Sequence, residues 1–292
     1  MAHVVSSPTA PFPIASGALL VHQIPSWEDN LIWLLEAPDR GLAAAIDGPE
    51  ASSVLKYCKA QHLVLDSILN THHHGDHIGI NKALEDQGLL MDMRVVGCRT
   101  RAADIPGLTV GVDDGDVISV GEADALVLRT EGHVDGHISF VFDGAVFCGD
   151  TMFGGGCGYL FDGPPAKMLE SLQRLARLPD ETRVCCAHEY TEDNLRFAWM
   201  LEPENEALAE RIRRVWSMRA RGESSVPSTI AEERATNPFL RVESAELQAS
   251  LAQLMPGTPL DNPVEIFAAT RSLKDSRVHR ERSDDVLPTP LA

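Results

Sequence analysis

The rhythm of apolar and polar positions changes twice along the chain. From 17 to 70 the apolar runs have strand length. Gly17–Pro25, Asn30–Glu36 and Gly41–Asp47 each read as a strand, and the turn Asp47-Gly48-Pro49 opens a helix through about Ala60. A buried strand over 62–70 follows, then a helix from about His77 to Gln87. Short runs at Arg94–Gly97, Val117–Val120, Ala125–Thr130, Ile138–Phe142 and Ala145–Cys148 are parted by Gly and Asp turns and read as strands. A helix over Pro165–Leu178, a strand over Thr182–Ala187 and a helix from Thr191 complete this part. Strands with helices between them predict two sheets covered by outer helices, an α/β class. Beyond Pro203 the pattern is helical, over 204–222, 242–254 and, with Asn262 as N-cap and Pro263 in the first turn, on to about Ser276. The expected division is a catalytic domain over 14–189 and a helical domain over 190–292. Loose order is expected for Met1–Pro13 and for the tail after Arg280.

Composition sharpens this only by exclusion. The chain has 292 residues, 44% of them hydrophobic, as an ordinary globular protein does. A net charge of −18 argues against nucleic acid as a partner, because phosphate binding wants a basic face. The apolar runs are too short for a membrane span, and no secretory pattern opens the chain. Six cysteines without a Cys-x-x-Cys pair read as reduced thiols of a cytoplasmic protein. The expected assembly is a monomer or weak homo-oligomer.

Histidine placement carries the chemistry. Seven of the eleven histidines lie at 72, 73, 74, 77, 133, 137 and 188. The stretch Thr71-His72-His73-His74-Gly75-Asp76-His77 follows a buried strand, and its nitrogen and carboxylate donors suit zinc, iron or manganese. His133, Asp150 and His188 also follow strands, at the C-terminal edge where α/β sheets place their sites.

Thr71–His77 taken with His133, Asp150 and His188 resembles the metallo-β-lactamase superfamily. That likeness implies a four-layer αβ/βα sandwich with a dinuclear metal site. Within it the chain is similar to glyoxalase II, the hydroxyacylglutathione hydrolases. The likeness runs from Ile24-Pro25 and Asp29-Asn30, through Gly149-Asp150-Thr151-Met152-Phe153, Gly156-Cys157-Gly158, His188-Glu189-Tyr190-Thr191 and Thr236-Asn237-Pro238-Phe239-Leu240-Arg241, to Arg271-Ser272-Leu273-Lys274-Asp275. It implies one metal on His72, His74 and His133 and a second on Asp76, His77 and His188. Asp150 would bridge them beside a water-derived hydroxide, and Asp76 would help orient that nucleophile. His73 would face away, and His137 would either support a ligand from behind or be structural. Two divalent ions, zinc first with iron or manganese compatible, less these three anions leave about +1 in an acidic protein.

The metals alone select no substrate. Arg271 and Lys274 share a helix face, and the resemblance implies that they bind the glycine carboxylate of glutathione, with Tyr190 on its backbone. Taken alone, the two cations read as a solvated face near a helix C-terminus. The family usually carries Arg or Lys after Gly-Cys-Gly, and here Tyr159 stands there, so a backbone contact survives and a charge contact does not. The implied reaction hydrolyses S-D-lactoylglutathione to D-lactate and glutathione, the last step of methylglyoxal detoxification. Rival readings are a mononuclear persulfide dioxygenase, a β-lactamase, an RNA-processing nuclease or a hydrolase of another thioester. The Arg-x-x-Lys helix and the acidity of the chain weigh against the first three.

Overall fold

The computed structural model describes residues 2–288. Its first sheet orders seven strands as β1 (Phe12–Ile14), β2 (Leu19–Ser26), β3 (Asn30–Ala37), β4 (Leu42–Ile46), β5 (Val64–Leu69), β6 (Arg94–Cys98) and β7 (Val110–Val112). Pairing is antiparallel from β1 to β4 and parallel from β4 to β7. The parallel half needs crossovers, which α1 (Ala51–Gln61) and α2 (Gly79–Asp86) supply. The second sheet holds β8 (Val117–Val120), β9 (Ala123–Arg129), β10 (Ile138–Phe142) and β11 (Ala145–Gly149). Beyond the short hairpin of β12 (Met152–Phe153) and β13 (Gly156–Cys157), it adds β14 (Arg183–Cys186), parallel to β11, and at its edge β15 (Ser228–Thr229).

Alternation along β3 shows how the layers form. Leu31, Trp33 and Leu35 face the second sheet and join the main core with Phe140, Phe142 and Phe147. Ile32 and Leu34 face the other way and pack with Val54 and Cys58 of α1 and Ile80 and Leu84 of α2. Both faces of this strand are buried, so it reads as a continuous apolar run. On the far side α3 (Pro165–Leu175) contributes Met168, Leu169, Leu172 and Leu175 to the main core. The layers are therefore helix, sheet, sheet, helix, as expected for the α/β sandwich.

The remaining helices are α4 (Thr191–Leu201), α5 (Glu206–Ala220), α6 (Ile230–Thr236), α7 (Ala245–Leu254) and α8 (Pro263–Asp275). The Asn262 side chain caps α8 by accepting from the Val264 and Glu265 N–H groups, each at 3.1 Å. The expected helix boundaries hold within a few residues, while α6 and the strands β1, β7, β12, β13 and β15 are additions.

Two expectations of disorder are corrected. The opening stretch is tied down: Val4 N–H donates to the Glu28 carbonyl at 2.8 Å, Ser7 N–H to the Gly222 carbonyl at 2.9 Å, and Val5 and Phe12 are buried. Phe12 and Ile14 alternate inward, and that small apolar gain registers the segment on the sheet edge. After Arg280, Leu287 is buried and the Trp199 indole donates to the Val286 carbonyl at 2.8 Å. The last residues of that tail lie outside the described range.

Candidate metal centre

The histidine loop is built from the ends of two parallel strands. β4 is followed directly by Asp47, whose φ of 54° is left-handed. Its carboxylate accepts from the Thr71 N–H at 2.8 Å and the Thr71 hydroxyl at 2.7 Å. Those bonds offset the strain and fix the start of the loop. The Asn70 amide donates to the His77 carbonyl at 3.0 Å and closes it. β11 brings Asp150 up beneath the loop through Gly149, at φ 48°. A Cβ at Gly149 would strike the Thr71 hydroxyl, so only glycine lets the two strand ends meet.

Three ligand sets converge within 4.8 Å: His72 with His74 and His133, Asp76 with His77 and His188, and His72 with His77 and Asp150. Asp150 sits between the halves. Its Oδ2 lies 3.5 Å from His133 Nε2, and its Oδ1 lies 3.4 Å from His77 Nε2 and 3.5 Å from His188 Nε2. Asp76 Oδ2 lies 3.4 Å from His188 Nε2 and 3.6 Å from His77 Nε2.

The residues fit a metal pair on a physical ground. His72 Nε2, His77 Nε2 and Asp150 Oδ1 are buried and have no hydrogen-bond partner. Buried polar atoms are ordinarily satisfied, and three orphans aimed at one point are what divalent ions would satisfy. Two opposite nitrogens are hydrogen-bonded, His188 Nδ1 to Asp29 Oδ1 at 2.8 Å and His133 Nδ1 to the Tyr159 carbonyl at 2.7 Å, and His77 Nδ1 faces Asp47 Oδ2 at 3.0 Å. Such bonds fix ring orientation and raise basicity.

The two halves differ in charge. Burial and the surrounding imidazoles push His72 well below the ordinary histidine range. Burial also opposes charge on His188, yet Asp150, Asp29 and Asp76 raise it to about 9. The carboxylate-rich half therefore draws positive charge more strongly. Burial disfavours the charge of Asp150 as well, but His77 and His188 outweigh it and hold the group far below the usual carboxylate range.

Among the described residues, His73 belongs to none of the converging sets. His137 is fully buried, and its Nε2 accepts from the Asp150 N–H at 3.2 Å, a structural part. Sequence reasoning missed the supporting shell. Asp47 read only as a turn residue, and Asp29 and Asn30 only as marks of resemblance, although Asn30 donates to Asp76 Oδ2 at 3.2 Å. An acidic residue closing a strand parallel to the one that feeds the loop was the available signal.

Beside the centre opens a cleft of about 330 Å³ lined by Phe153, Cys157, Tyr159, Tyr190, Arg271 and Lys274, among others. The Tyr190 ring stacks on His188 at 4.8 Å, which joins cleft and centre. Burial, with Asp29 and Asp150 nearby, raises its phenol well above the usual value, so it stays a donor. Arg271, 8% exposed, donates to the Cys157 carbonyl at 3.1 Å and to Asp275 Oδ1 at 2.6 Å. Lys274, 9% exposed, donates to Asp193 Oδ2 at 2.7 Å. The sequence-predicted pair is thus buried in the cleft wall, not a solvated face. Tyr159, 52% exposed, packs edge-on to Phe161 at 4.9 Å.

Residues 189–277 match the sequence family described as hydroxyacylglutathione hydrolase C-terminus, and residues 99–188 match the metallo-beta-lactamase superfamily. A hydroxyacylglutathione hydrolase of Methylococcus capsulatus is 47% identical over 88% of this chain and 98% of its own length. One from Gloeobacter violaceus is 46% identical over 88% and 99%. Among solved structures, ETHE1 from Myxococcus xanthus superposes with a TM-score of 0.58 at 26% identity, over 88% of this chain and 98% of that one.

Proposed function

Because the chain belongs to the hydroxyacylglutathione hydrolase family of the metallo-β-lactamase superfamily, we propose that it hydrolyses S-D-lactoylglutathione to D-lactate and glutathione. The observation that carries this reading is the adjacency of two built features. A convergent His/Asp centre with orphaned buried donors opens onto a cleft that holds Arg271 and Lys274.

His72, His74 and His133 would hold one metal ion, Asp76, His77 and His188 the other, with Asp150 between them. Divalent ions bound there supply Lewis acidity and a water acidic enough to serve as nucleophile at neutral pH, and zinc suits the donor set best, with iron and manganese compatible. The protein's own part is orientation. Asp76, fixed by Asn30, presents a carboxylate that would orient the attacking water. Asp29 and Asp47 hold the rings of His188 and His77, so these need not reorganise during reaction.

Arg271 and Lys274 would take the glycine carboxylate, exchanging part of their hold on Asp275 and Asp193 for the substrate. The Tyr190 O–H would donate to the peptide backbone. The Tyr159 backbone would still be free to contact glutathione through its N–H, while its carbonyl supports His133, and an apolar ring stands where the family usually carries a cation. We also propose a cytoplasmic location, a reading supported by six free, buried cysteines.

The rival persulfide dioxygenase reading rests on the histidine loop alone and stands against 47% identity to the hydrolase of M. capsulatus over 88% of this chain. The separating experiment follows free-thiol release from S-D-lactoylglutathione and counts metal on the same sample. Thiol release is expected. None from a preparation holding about two metal ions per chain would sink the hydrolase reading.

A further inference from the structure

The cleft wall that carries Arg271 and Lys274 continues past them. The same cavity is lined by Arg277, His279 and Arg280 from the segment after α8, and by Asp193 and Asp275. Four permanent or near-permanent cations thus face two carboxylates in a chain whose net charge is −18. The cations are not equally engaged. Arg271 is bonded to Asp275, and Lys274 to Asp193. Arg280, 53% exposed, reaches Asp193 Oδ1 at 2.8 Å. Arg277 is exposed, and among the described residues its side chain has neither an ion-pair partner nor a hydrogen-bond partner. Asp275, for its part, bonds Arg271 through Oδ1 alone and leaves Oδ2 open.

This mixed lining is more than one carboxylate needs. Glutathione carries two carboxylates and one ammonium, and the second carboxylate and the ammonium share the α-carbon of its γ-glutamyl residue. Resting on the hydrolase reading above, we propose that Arg277 and Arg280 form a subsite for the γ-glutamyl α-carboxylate, with Asp275 Oδ2 accepting from the adjacent ammonium. The subsite distinguishes a full γ-glutamyl tripeptide thioester from a shorter thiol carrier. It lies at the rim, where each contact is screened and weak, and it sets KM and not the chemical step.

Arg277 sits at φ 62°, so its replacement should be a residue that tolerates left-handed backbone. Arg277→Asn meets that need, and Arg277→Lys keeps the charge. Steady-state kinetics are measured with two substrates, S-D-lactoylglutathione and the S-D-lactoyl thioester of cysteinylglycine, which lacks the γ-glutamyl residue. For the glutathione thioester, Arg277→Asn is expected to raise KM by about 5-fold with kcat retained. Combined with Arg280→Gln the rise should reach about 10-fold or more, and Arg277→Lys should recover most of the single loss. For the cysteinylglycine thioester, KM should be the same in all these variants. An equal KM change with both substrates, or none with either, overturns the subsite. A metal-loaded wild-type chain that cleaves neither thioester overturns the hydrolase reading on which the subsite rests.

Discussion

At the scale of single residues, Lys274 makes the sharpest statement. Burial pushes its ammonium down to about 8 from the ordinary 10.5, against the opposing pull of Asp193. Arg271 and Arg280 add repulsion, and His279 Nε2 stands 3.2 Å away. The protonated form is the one that binds a carboxylate, and it persists below about 8 and is lost as pH rises through that value. KM for S-D-lactoylglutathione should therefore climb above about pH 8 while kcat stays level, and Lys274→Arg should push the climb out of the measurable range. A KM that is flat to pH 10 in the wild type would remove Lys274 from the binding step. For folding the sign is opposite. Between about 8 and 10.5 the unfolded chain holds a proton that the folded chain lacks, so this group adds stability as pH rises. None of this was legible in Arg-x-x-Lys spacing. The spacing put both cations on one face, but the depth of that face in the wall depends on Asp193 and Cys157, far away in sequence.

Elements decide how the centre is assembled. Each ligand-bearing segment follows the C-terminal end of a strand, and those strands, β5, β9, β11 and β14, were legible because each is a short, mostly apolar run closed by turn residues. What stayed illegible is short. β7, β12, β13 and β15 have two or three residues each, too few for a period to register, and α6 is a two-turn helix whose sequence is mostly polar. That helix nevertheless matters. Its Glu233, fully buried, accepts from the Gly155 N–H at 2.9 Å and from Arg211 at 2.6 Å, and so ties the helical part to the β12–β13 hairpin. The hairpin leads into Gly158, whose missing side chain has a specific purpose. A Cβ there would collide with the Asp150 carbonyl and crowd His133 Nδ1. Gly158→Ala should displace both residues and lower metal content per chain, measured on purified protein, by about half or more, while the circular dichroism spectrum keeps its wild-type shape. Full metal content in that variant would show that the backbone yields without moving the centre.

Across the whole molecule, the centre joins parts that share little sequence proximity. His72, His74, Asp76 and His77 hang from the first sheet, and His133, Asp150 and His188 from the second. The main core runs continuously through both sheets and on into α4, α7 and α8, so the two halves of the centre are held by one apolar interior. Among the described residues no helix is long and apolar enough to cross a membrane, and the fold accounts for its own apolar runs by burying them. An arrangement of this kind makes bound metal a global clamp. The folded chain gathers seven donors into overlapping groups of three, each within 4.8 Å, whereas the unfolded chain scatters them over more than a hundred residues. Ions that bind only the folded form stabilise it by mass action, and they also relieve the unpartnered His72 Nε2, His77 Nε2 and Asp150 Oδ1. Removing metal with a chelator should lower Tm by about 10 °C, the effect of roughly 1,000-fold saturation on a chain of this size. Adding zinc back should restore it. In Asp150→Asn, which weakens the hold on both ions, the chelator should move Tm much less. A wild-type Tm that stays within about a degree on chelation would mean that the donors are satisfied without metal, and the centre as drawn would fall.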